Sequence, residues 1–328
     1  MAFQILSLSG GGFLGLYTAT VLAELEERSG RRLNECFDMF AGTSIGGIVA
    51  LGLAAGCSAS EIRDAFVEHG QHIFPKQPPR SKAAWFGRMV RNLPAPLYAP
   101  APLRKTVEQI VGRDTLVSEL VRPVVVPAVS LTKGGPKVFK TGHHQNFKLD
   151  WRLRVADVAM ATSAAPTYFP AHRIGDDLYA DGGMFANSPD MIALHEAQQF
   201  LGVKLDDIHV LSVGTTTTDF AMSAALDPNL GGLGWMRNQR LTDVMIGSQQ
   251  ALTNDMMRHV LGERYLRIDR RQADEQRAVL ALDVATPAAI TNLLSLARSS
   301  FADVSADPRL TALLRHDAVP FTFINAKI

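Results

Sequence analysis

The chain has 328 residues, of which 47% are hydrophobic and 20% are charged. This composition is ordinary for a globular protein and excludes collagen-like, coiled-coil and disordered chains. Its 33 basic and 32 acidic residues leave a formal charge of +1. No overall positive field is therefore available to hold a nucleic acid polymer, and an anionic partner must meet a local patch.

The first predicted elements are two strand–turn–helix units. Residues 3–8 favour a strand, a glycine run breaks it, and apolar residues at helical spacing follow up to Gly30. A second strand, Phe37 to Ala41, runs into the glycine-rich residues 42–47 and another helix. Two such units in succession predict an α/β sheet that is parallel at least in part.

Further elements follow along the chain. Ser58 with Glu61 has the pattern of a capping box and predicts a helix to about His69. Asn187-Ser188-Pro189 is expected to cap a helix to Phe200, with Pro189 in its first turn. Strands are predicted at 123–131, 208–213 and 264–269, and helices at 155–162, 241–261, 287–300 and 308–315.

Residues 75–105 form a basic, proline-rich excursion, with no acidic residue from His69 to Val107. Proline removes backbone donors, so a core strand or long helix is not expected here. The cations, interleaved with Trp85 and Phe86, could adsorb on anionic lipid, hold the phosphates of a nucleotide effector, or simply be solvated. No linker or repeat divides the chain. We therefore predict one domain over 1–328, with this excursion and a helical C-terminal region.

Three features bear on location. Cys36 and Cys57 could form at most one disulfide, which argues against a secreted disulfide scaffold. The N-terminus lacks the cationic start and apolar stretch of a signal peptide. The longest apolar-and-glycine stretch, Ile45 to Cys57, has 13 residues and is too short to span a bilayer. We expect a soluble, cytoplasmic chain.

Gly42-Thr43-Ser44-Ile45-Gly46 fits the G-x-S-x-G pattern of a nucleophile elbow. A sharp turn between strand and helix lifts the serine hydroxyl clear of the sheet, and the flanking glycines permit that turn. The predicted strand before it and helix after it provide the right context. The alternative is an ordinary tight turn between a strand and a helix.

A serine needs a base, and two kinds are available. The histidines lie in no glycine-rich or exposed catalytic context; they are His69, His72, His143, His144, His172, His195, His209, His259 and His316. Tyr179-Ala180-Asp181-Gly182-Gly183 instead places a carboxylate between an apolar approach and two glycines. A buried carboxylate with a raised pKa can accept a serine proton directly. Asp181 is the better candidate, although D-G-G is also a common turn.

The first glycine run admits two interpretations. Gly10, Gly12 and Gly15 satisfy the dinucleotide fingerprint G-x-G-x-x-G, but the acidic ribose partner at the end of the next strand is missing. Alternatively, backbone N–H groups at the mouth of a helix form an oxyanion hole. The second interpretation explains why glycine turns occur on two adjacent units.

Four segments in this order, SLSGGGFLG, AGTSIGG, SAAPTYFP and YADGGMFANSP, resemble the patatin-like phospholipases and span residues 7–189. The resemblance implies a three-layer α/β fold, with a central, mostly parallel sheet and helices on both faces. It implies Ser44 as acyl nucleophile, Asp181 as base, lipid acyl esters as substrates, and neither metal nor cofactor. It implies Gly10, Gly11 and Gly12 as oxyanion donors, and supporting roles for Gly15, Gly42, Gly46, Gly182, Gly183 and Asn187. Leu14 departs from the family, whose members commonly carry Arg or Lys there.

The first two segments with their flanks look like the bacterial patatin phospholipases of cyclic-oligonucleotide antiviral defence. That resemblance implies an enzyme acting at the inner face of the membrane and switched on by a cyclic dinucleotide. Its expected partners are a phospholipid membrane surface, the cyclic dinucleotide and, as an open alternative, a second copy in a homo-oligomer. The competing hypotheses are a lipid acyl hydrolase without nucleotide control, a dinucleotide-binding oxidoreductase and a non-catalytic lipid-binding protein.

Overall fold

The computed structural model of the chain describes residues 2–75, 95–216, 229, 231–236, 240–277 and 279–324. Its strands are β1 (Phe3–Leu8), β2 (Met39–Gly42), β3 (Val124–Ser130), β4 (Gly135–Lys140), β5 (His172–Ile174), β6 (Asp177–Asp181), β7 (Ile208–Val213) and β8 (Tyr265–Ile268). Its helices are α1 (Gly15–Ser29), α2 (Leu33–Cys36), α3 (Ile45–Ala54), α4 (Ala59–Ile73), α5 (Pro100–Val111), α6 (Val155–Thr162), α7 (Gly183–Ala186), α8 (Asp190–Gln199), α9 (Gly232–Met236), α10 (Arg240–Leu261), α11 (Asp274–Arg277), α12 (Pro287–Val304) and α13 (Pro308–Arg315).

The described strands form one sheet in the order β5-β6-β3-β2-β1-β7-β8, and β4 pairs with β3. The pairings β3–β2, β2–β1, β1–β7 and β7–β8 are parallel. The pairings of β3 with β4 and β6, and of β5 with β6, are antiparallel. The predicted mostly parallel sheet is confirmed, with an antiparallel group added at one side.

Helices cover both faces of this sheet, as predicted. Side chains alternate across a strand, so one strand feeds two cores. Leu6 and Leu8 of β1 pack into the larger core, which α1, α3, α4 and α12 share. Ile5 packs into the smaller core, together with side chains of α8 and α10. The sheet therefore lies between two helical layers, which is the predicted three-layer arrangement.

Local sequence signals placed most elements correctly. The Ser58 capping box is confirmed: the Ser58 hydroxyl accepts from the Glu61 amide at 3.1 Å, and the Glu61 carboxylate accepts from the Ser58 amide at 2.8 Å. The predicted strand at 208–213 and helix at 155–162 have the bounds of β7 and α6. The long amphipathic helix predicted at 241–261 is α10, one residue longer.

The prediction for residues 75–105 needs a correction at its end. Helix α5 begins inside that segment, because Pro100 and Pro102 occupy the first turn, where a missing N–H leaves no hydrogen bond unmade. Leu103 is buried, and Arg104 bonds Asp157 at 2.9 Å, so this part is not a solvated excursion. Residues 76–94, with Trp85 and Phe86, lie outside the described residues.

Two further expectations also change. Pro189 stands at the N-cap of α8, one position before the first turn, and no side chain caps that helix. Asn187 and Ser188 make other contacts: the Asn187 amide donates to Gly10, and the Ser188 hydroxyl to the Asp190 carboxylate. Strands β4, β5 and β6 were not predicted, because their mixed polar and apolar residues lack a clear period of two.

Strands β2 and β6 meet end to end along β3. Val124 and Val125 of β3 pair with parallel β2, whereas the stretch from Ala128 to Ser130 pairs with antiparallel β6. Opposite directions bring the C-terminal ends of β2 and β6 together beside Pro127. The residues that follow β2 and close β6 are therefore neighbours in space.

Candidate active site

Ser44 lies in the turn between β2 and α3. Its backbone has φ 54° and ψ −126°, a region that residues other than glycine rarely adopt. Such a conformation costs about 1–3 kcal/mol and persists only where the surroundings enforce it. It turns the hydroxyl out of the sheet, which is the geometry that a nucleophile elbow requires.

The glycines on either side of Ser44 are required by close packing. A Cβ added to Gly42 would lie 2.2 Å from the carbonyl oxygen of Gly46. One added to Gly46 would lie 2.4 Å from the carbonyl oxygen of Leu8 in β1. Gly15 plays the same part between helices, since its Cβ would lie 2.3 Å from Ile45. Substitution at these positions would push the elbow away from the strand and helix that support it.

The structure brings Ser44 and Asp181 together. The Ser44 Oγ donates to Asp181 Oδ2 at 2.6 Å, across 137 positions in the chain. Asp181 closes β6, and its Oδ1 accepts from the Gly183 amide at 2.7 Å. Burial raises the pKa of Asp181 to about 6, against the lowering effect of the bonds from Ser44 and Gly183. The carboxylate is thus mostly ionised at neutral pH and is more basic than an exposed one.

The first glycine run lies against Ser44. A Cβ on Gly10 would lie 3.2 Å from the Ser44 Cβ. The Gly10 amide donates to the Asn187 carbonyl oxygen at 2.9 Å, and the Asn187 side chain donates to the Gly10 carbonyl oxygen at 3.2 Å. This reciprocal pair joins Asn187 to the glycine loop. It also corrects one expectation, because the occupied N–H of Gly10 is not available as an oxyanion donor.

Gly11 and Gly12 keep their donors. In the part of the chain that the structure describes, neither backbone N–H makes a hydrogen bond. Gly12 has φ +55°, and the next amide, that of Phe13, donates to the Leu282 carbonyl oxygen at 2.7 Å. The loop is therefore held from both sides while two donors stay open in the cavity that Ser44 also lines. This geometry favours the oxyanion interpretation over the dinucleotide fingerprint.

Several hydroxyl groups that the motifs do not reveal hold the site in place. The Thr162 Oγ1 accepts from the Ser44 amide at 2.9 Å and donates to the Pro127 carbonyl oxygen at 2.6 Å. The Thr43 hydroxyl donates to Ala186, and the Thr215 hydroxyl donates to Gly10. These threonines are far from their partners in sequence, so no local pattern could have indicated them.

The remaining predicted positions line the turn after β6. A Cβ on Gly182 would lie 2.3 Å from the Pro127 carbonyl oxygen, so the turn packs directly on β3. Gly183 donates to Asp181, as described above. The Ala164 carbonyl oxygen accepts from the Asp181 amide at 3.0 Å. The two segments singled out by resemblance, SAAP and the D-G-G turn, therefore contact each other around the carboxylate.

Ser44 and Asp181 open into a cavity of about 810 Å³. Its walls are mainly apolar and include Phe13, Leu14, Phe66, Phe74, Tyr168 and Phe169. No histidine of the described residues lines it. Leu14, the departure noted in the glycine loop, adds apolar surface where a cation is common. The cavity is large enough for an extended hydrocarbon chain with its ester at Ser44.

Comparisons with known proteins give the family. The model of the patatin-like phospholipase family matches residues 6–194. A Vibrio cholerae protein named cGAMP-activated phospholipase is 38% identical over 316 residues, which cover 90% of this chain and 89% of that protein. A Pseudomonas aeruginosa protein of the same name is 38% identical over 323 residues, covering 96% and 93%. Patatin-like protein 2 of Arabidopsis thaliana is 32% identical, covering 77% and 70%. With more than half of its length matched by that family and relatives aligned over most of the rest, the chain belongs to the patatin-like phospholipases.

Proposed function

We propose that the chain is a phospholipase that releases fatty acids from membrane phospholipids, with Ser44 as nucleophile and Asp181 as its base. The observation that carries this proposal is the 2.6 Å hydrogen bond from the Ser44 hydroxyl to the Asp181 carboxylate at the wall of an apolar cavity. The names of the bacterial relatives, as phospholipases, support the same conclusion.

In the first half of the reaction, Ser44 Oγ attacks the carbonyl carbon of a lipid ester as its proton passes to Asp181 Oδ2. The carbonyl oxygen becomes an oxyanion, and the N–H groups of Gly11 and Gly12 stabilise it. The N-terminal end of α3, which begins at Ile45, adds a favourable dipole. Collapse of the intermediate breaks the ester bond, and the departing alcohol takes the proton from Asp181.

In the second half, the acyl group stays on Ser44 as an ester. Asp181 takes a proton from a water molecule, whose oxygen attacks the acyl carbonyl carbon. The new oxyanion uses the same two backbone donors. Its collapse breaks the bond to Ser44 Oγ, which recovers the proton from Asp181, and a fatty acid leaves. One carboxylate thus serves both halves, as a base that returns its proton each time.

We further infer that a cyclic dinucleotide activates this chain. The relatives from three bacteria that carry the name cGAMP-activated phospholipase align with 88% to 96% of it. An alignment of that extent leaves little of the chain outside the region shared with an activated enzyme. A role in antiviral defence and action at the inner membrane face extend this inference. In the part of the chain that the structure describes, no helix is both long and apolar enough to cross a membrane.

The test is fatty-acid release from phosphatidylethanolamine and phosphatidylglycerol vesicles, with and without cGAMP. We expect release that cGAMP increases, and a loss of about 10³-fold or more in Ser44→Ala. Ser248→Ala, which changes an exposed serine on α10, should behave as the parent. A fluorophosphonate should label the parent and Ser248→Ala but not Ser44→Ala, because only an activated serine reacts readily.

Each alternative predicts a different result. Full release without cGAMP would identify a lipid acyl hydrolase without nucleotide control. Undiminished release by folded Ser44→Ala would refute Ser44 as the nucleophile. An unlabelled parent that binds vesicles without releasing fatty acid, with or without cGAMP, would instead identify a lipid-binding protein.

A further inference from the structure

Helix α10 has two apolar faces. One is buried: Met257 and Leu261 pack into the smaller core, and Gln250 is buried beside them. The other is exposed, and its five side chains, here called the α10 stripe, are between 39% and 63% accessible. The α10 stripe consists of Leu241, Met245, Leu252, Met256 and Val260.

The spacing of the α10 stripe places its members on one helix face. Its members follow one another at intervals of four, seven, four and four residues. At 3.6 residues per turn, these positions fall within an arc of about 100°. From Leu241 to Val260 the stripe runs about 28 Å along the helix axis. One helix face therefore exposes two apolar groups, Leu241 with Met245 and Leu252 with Met256 and Val260, on either side of the turn that carries Ser248 and Gln249.

This concentration of apolar surface is unusual within the molecule. The described residues contain twelve strongly exposed large apolar side chains, and the α10 stripe accounts for five. A sixth, Met184, lies against the same helix, since the Gln249 side chain donates to the Met184 carbonyl oxygen at 2.9 Å. Isolated exposed apolar residues need no explanation, but a contiguous patch of them marks an interaction surface.

The patch is continuous with the entrance of the cavity. Leu241, Met245 and Met184 line the cavity and are also strongly exposed, so they form its rim on this side. Met184 follows Gly183, the residue that holds the Asp181 carboxylate. Whatever covers the α10 stripe therefore also faces the route by which a substrate reaches Ser44.

We propose that the α10 stripe and Met184 form the surface on which the protein lies against a phospholipid bilayer. The inference rests on the proposed function, because a phospholipase must draw its substrate from a bilayer. A bilayer at this position supplies the substrate at the cavity rim, whereas a protein partner there would cover the entrance. The charged side chains of α10, Arg240, Asp243, Asp255 and Arg258, sum to zero. Apolar burial, more than charge attraction, therefore drives this contact.

The test is flotation of the full chain with phosphatidylethanolamine and phosphatidylglycerol vesicles, with and without cGAMP. High salt is used to screen the basic residues of 75–105. The variant is Leu252→Glu with Met256→Glu, since neither side chain lines the cavity. The matched control is Val121→Glu with Leu149→Glu, which adds the same charge at exposed apolar positions outside α10. We expect vesicle binding about tenfold or more weaker for the α10 variant, and parental binding for the control.

A soluble monomeric ester separates this proposal from the proposed function. Hydrolysis of that ester should be the same in parent and α10 variant, because the dyad is untouched. Parental vesicle binding by the α10 variant in both conditions would overturn the proposal. So would an α10 variant that dissociates an oligomer in sedimentation equilibrium while its vesicle binding is unchanged, which would assign the stripe to a second copy. If the parent hydrolyses neither ester nor lipid, the proposed function fails, and flotation still tests the surface.

Discussion

Two arrangements of hydroxyl and carboxylate among the described residues can be compared, and of these two only the first lines the cavity. The first is Ser44 with Asp181. The second, here called the Thr141 cluster, joins the hydroxyl of Thr141 to His143 at 2.8 Å, and His143 to Glu196 at 2.8 Å. Lys140 pairs with the other oxygen of Glu196 at 2.5 Å. A hydroxyl, an imidazole and a carboxylate thus stand in a row, as in a serine protease.

The two arrangements differ in their exposure, in the hydrogen bonds of the hydroxyl group and in the orientation of the imidazole. Thr141 and Glu196 are each 1% exposed, and no member of the Thr141 cluster lines the cavity. The Thr141 hydroxyl already accepts from the Val124 amide at 3.0 Å. The imidazole is also reversed relative to a catalytic triad, since Nδ1 faces the hydroxyl and Nε2 faces the carboxylate. The Thr141 cluster ties β3, the end of β4 and α8 together, and its role is structural. A catalytic centre needs an open hydroxyl as well as a row of hydrogen bonds.

The sharpest test of this comparison neutralises one carboxylate in each arrangement. Asp181→Asn should lower fatty-acid release by about 10²–10⁴-fold, because the base is lost while the hydrogen-bonding shape is kept. Glu196→Gln should retain the parental rate at a temperature where it is folded. Initial rates on vesicles, with folding checked by circular dichroism, measure both. A rate loss in Glu196→Gln as large as that in Asp181→Asn would contradict the distinction.

The same two variants should change stability in opposite directions. Glu196→Gln weakens a buried ion pair and should lower the free energy of unfolding by about 2–4 kcal/mol. Asp181→Asn should raise it by about 1–3 kcal/mol near pH 7.5. Burial raises the folded-state pKa of Asp181 to about 6, so the ionised carboxylate destabilises the folded state above that pH. Urea unfolding measures both changes.

The control for stability is Glu27→Gln, an exposed carboxylate on α1 that should change little. The predicted gain in the free energy of unfolding for Asp181→Asn should depend on pH. The gain should disappear as the pH falls below about 4, where the carboxyl is protonated in both the folded and the unfolded chain. A destabilised Asp181→Asn at pH 7.5 would show that the carboxylate serves the fold more than the reaction.

The smallest predicted effect is a fall in kcat/KM at acid pH, which forms the acid limb of the pH–rate profile. The base must be ionised, so kcat/KM should fall below pH 6 by about tenfold for each further unit. Asp243 offers a matched control, because it lines the same cavity and burial raises its pKa to about 6 as well. Asp243→Asn should leave the midpoint of the limb where it is. A midpoint that moves in Asp243→Asn would assign the titration to that residue instead.

Sequence motifs indicated Ser44 and Asp181, the two groups of the proposed dyad, but not the residues that hold them in place. Both stand in short motifs whose glycines have a physical reason, so local patterns were enough to propose them. Thr162 lies 118 positions from Ser44, and only the folded chain shows that its hydroxyl receives the Ser44 amide. The pairing of Gly10 with Asn187, at a separation of 177, is equally hidden. Long-range pairing therefore decided which of the predicted glycine donors stay open.

The secondary structure shows the same difference between what local patterns predict and what depends on long-range pairing. Elements with a clear period or cap were predicted closely: β7 has its predicted bounds, and α4 begins directly after its cap Ser58 but ends four residues later than predicted. Helix α5 was not predicted, because proline breaks a helix in its interior. The prolines of α5 stand in its first turn, where proline is tolerated. Strands β5 and β6 are short: β6 pairs with β3, and β5 pairs with β6. Their register is a tertiary property that no local pattern in the residues expresses.

Because β2 and β6 meet end to end on β3, the residues of β3 between them set the distance from Ser44 to Asp181. Only Val126 and Pro127 separate the stretch of β3 that pairs with β2 from the stretch that pairs with β6. An insertion or deletion of one residue there would slide one strand end by about 3.3 Å and turn its side chains to the opposite face. The bond between hydroxyl and carboxylate could not survive either change. At this point of the sheet, unlike in a surface loop, chain length therefore sets the distance between the Ser44 hydroxyl and the Asp181 carboxylate.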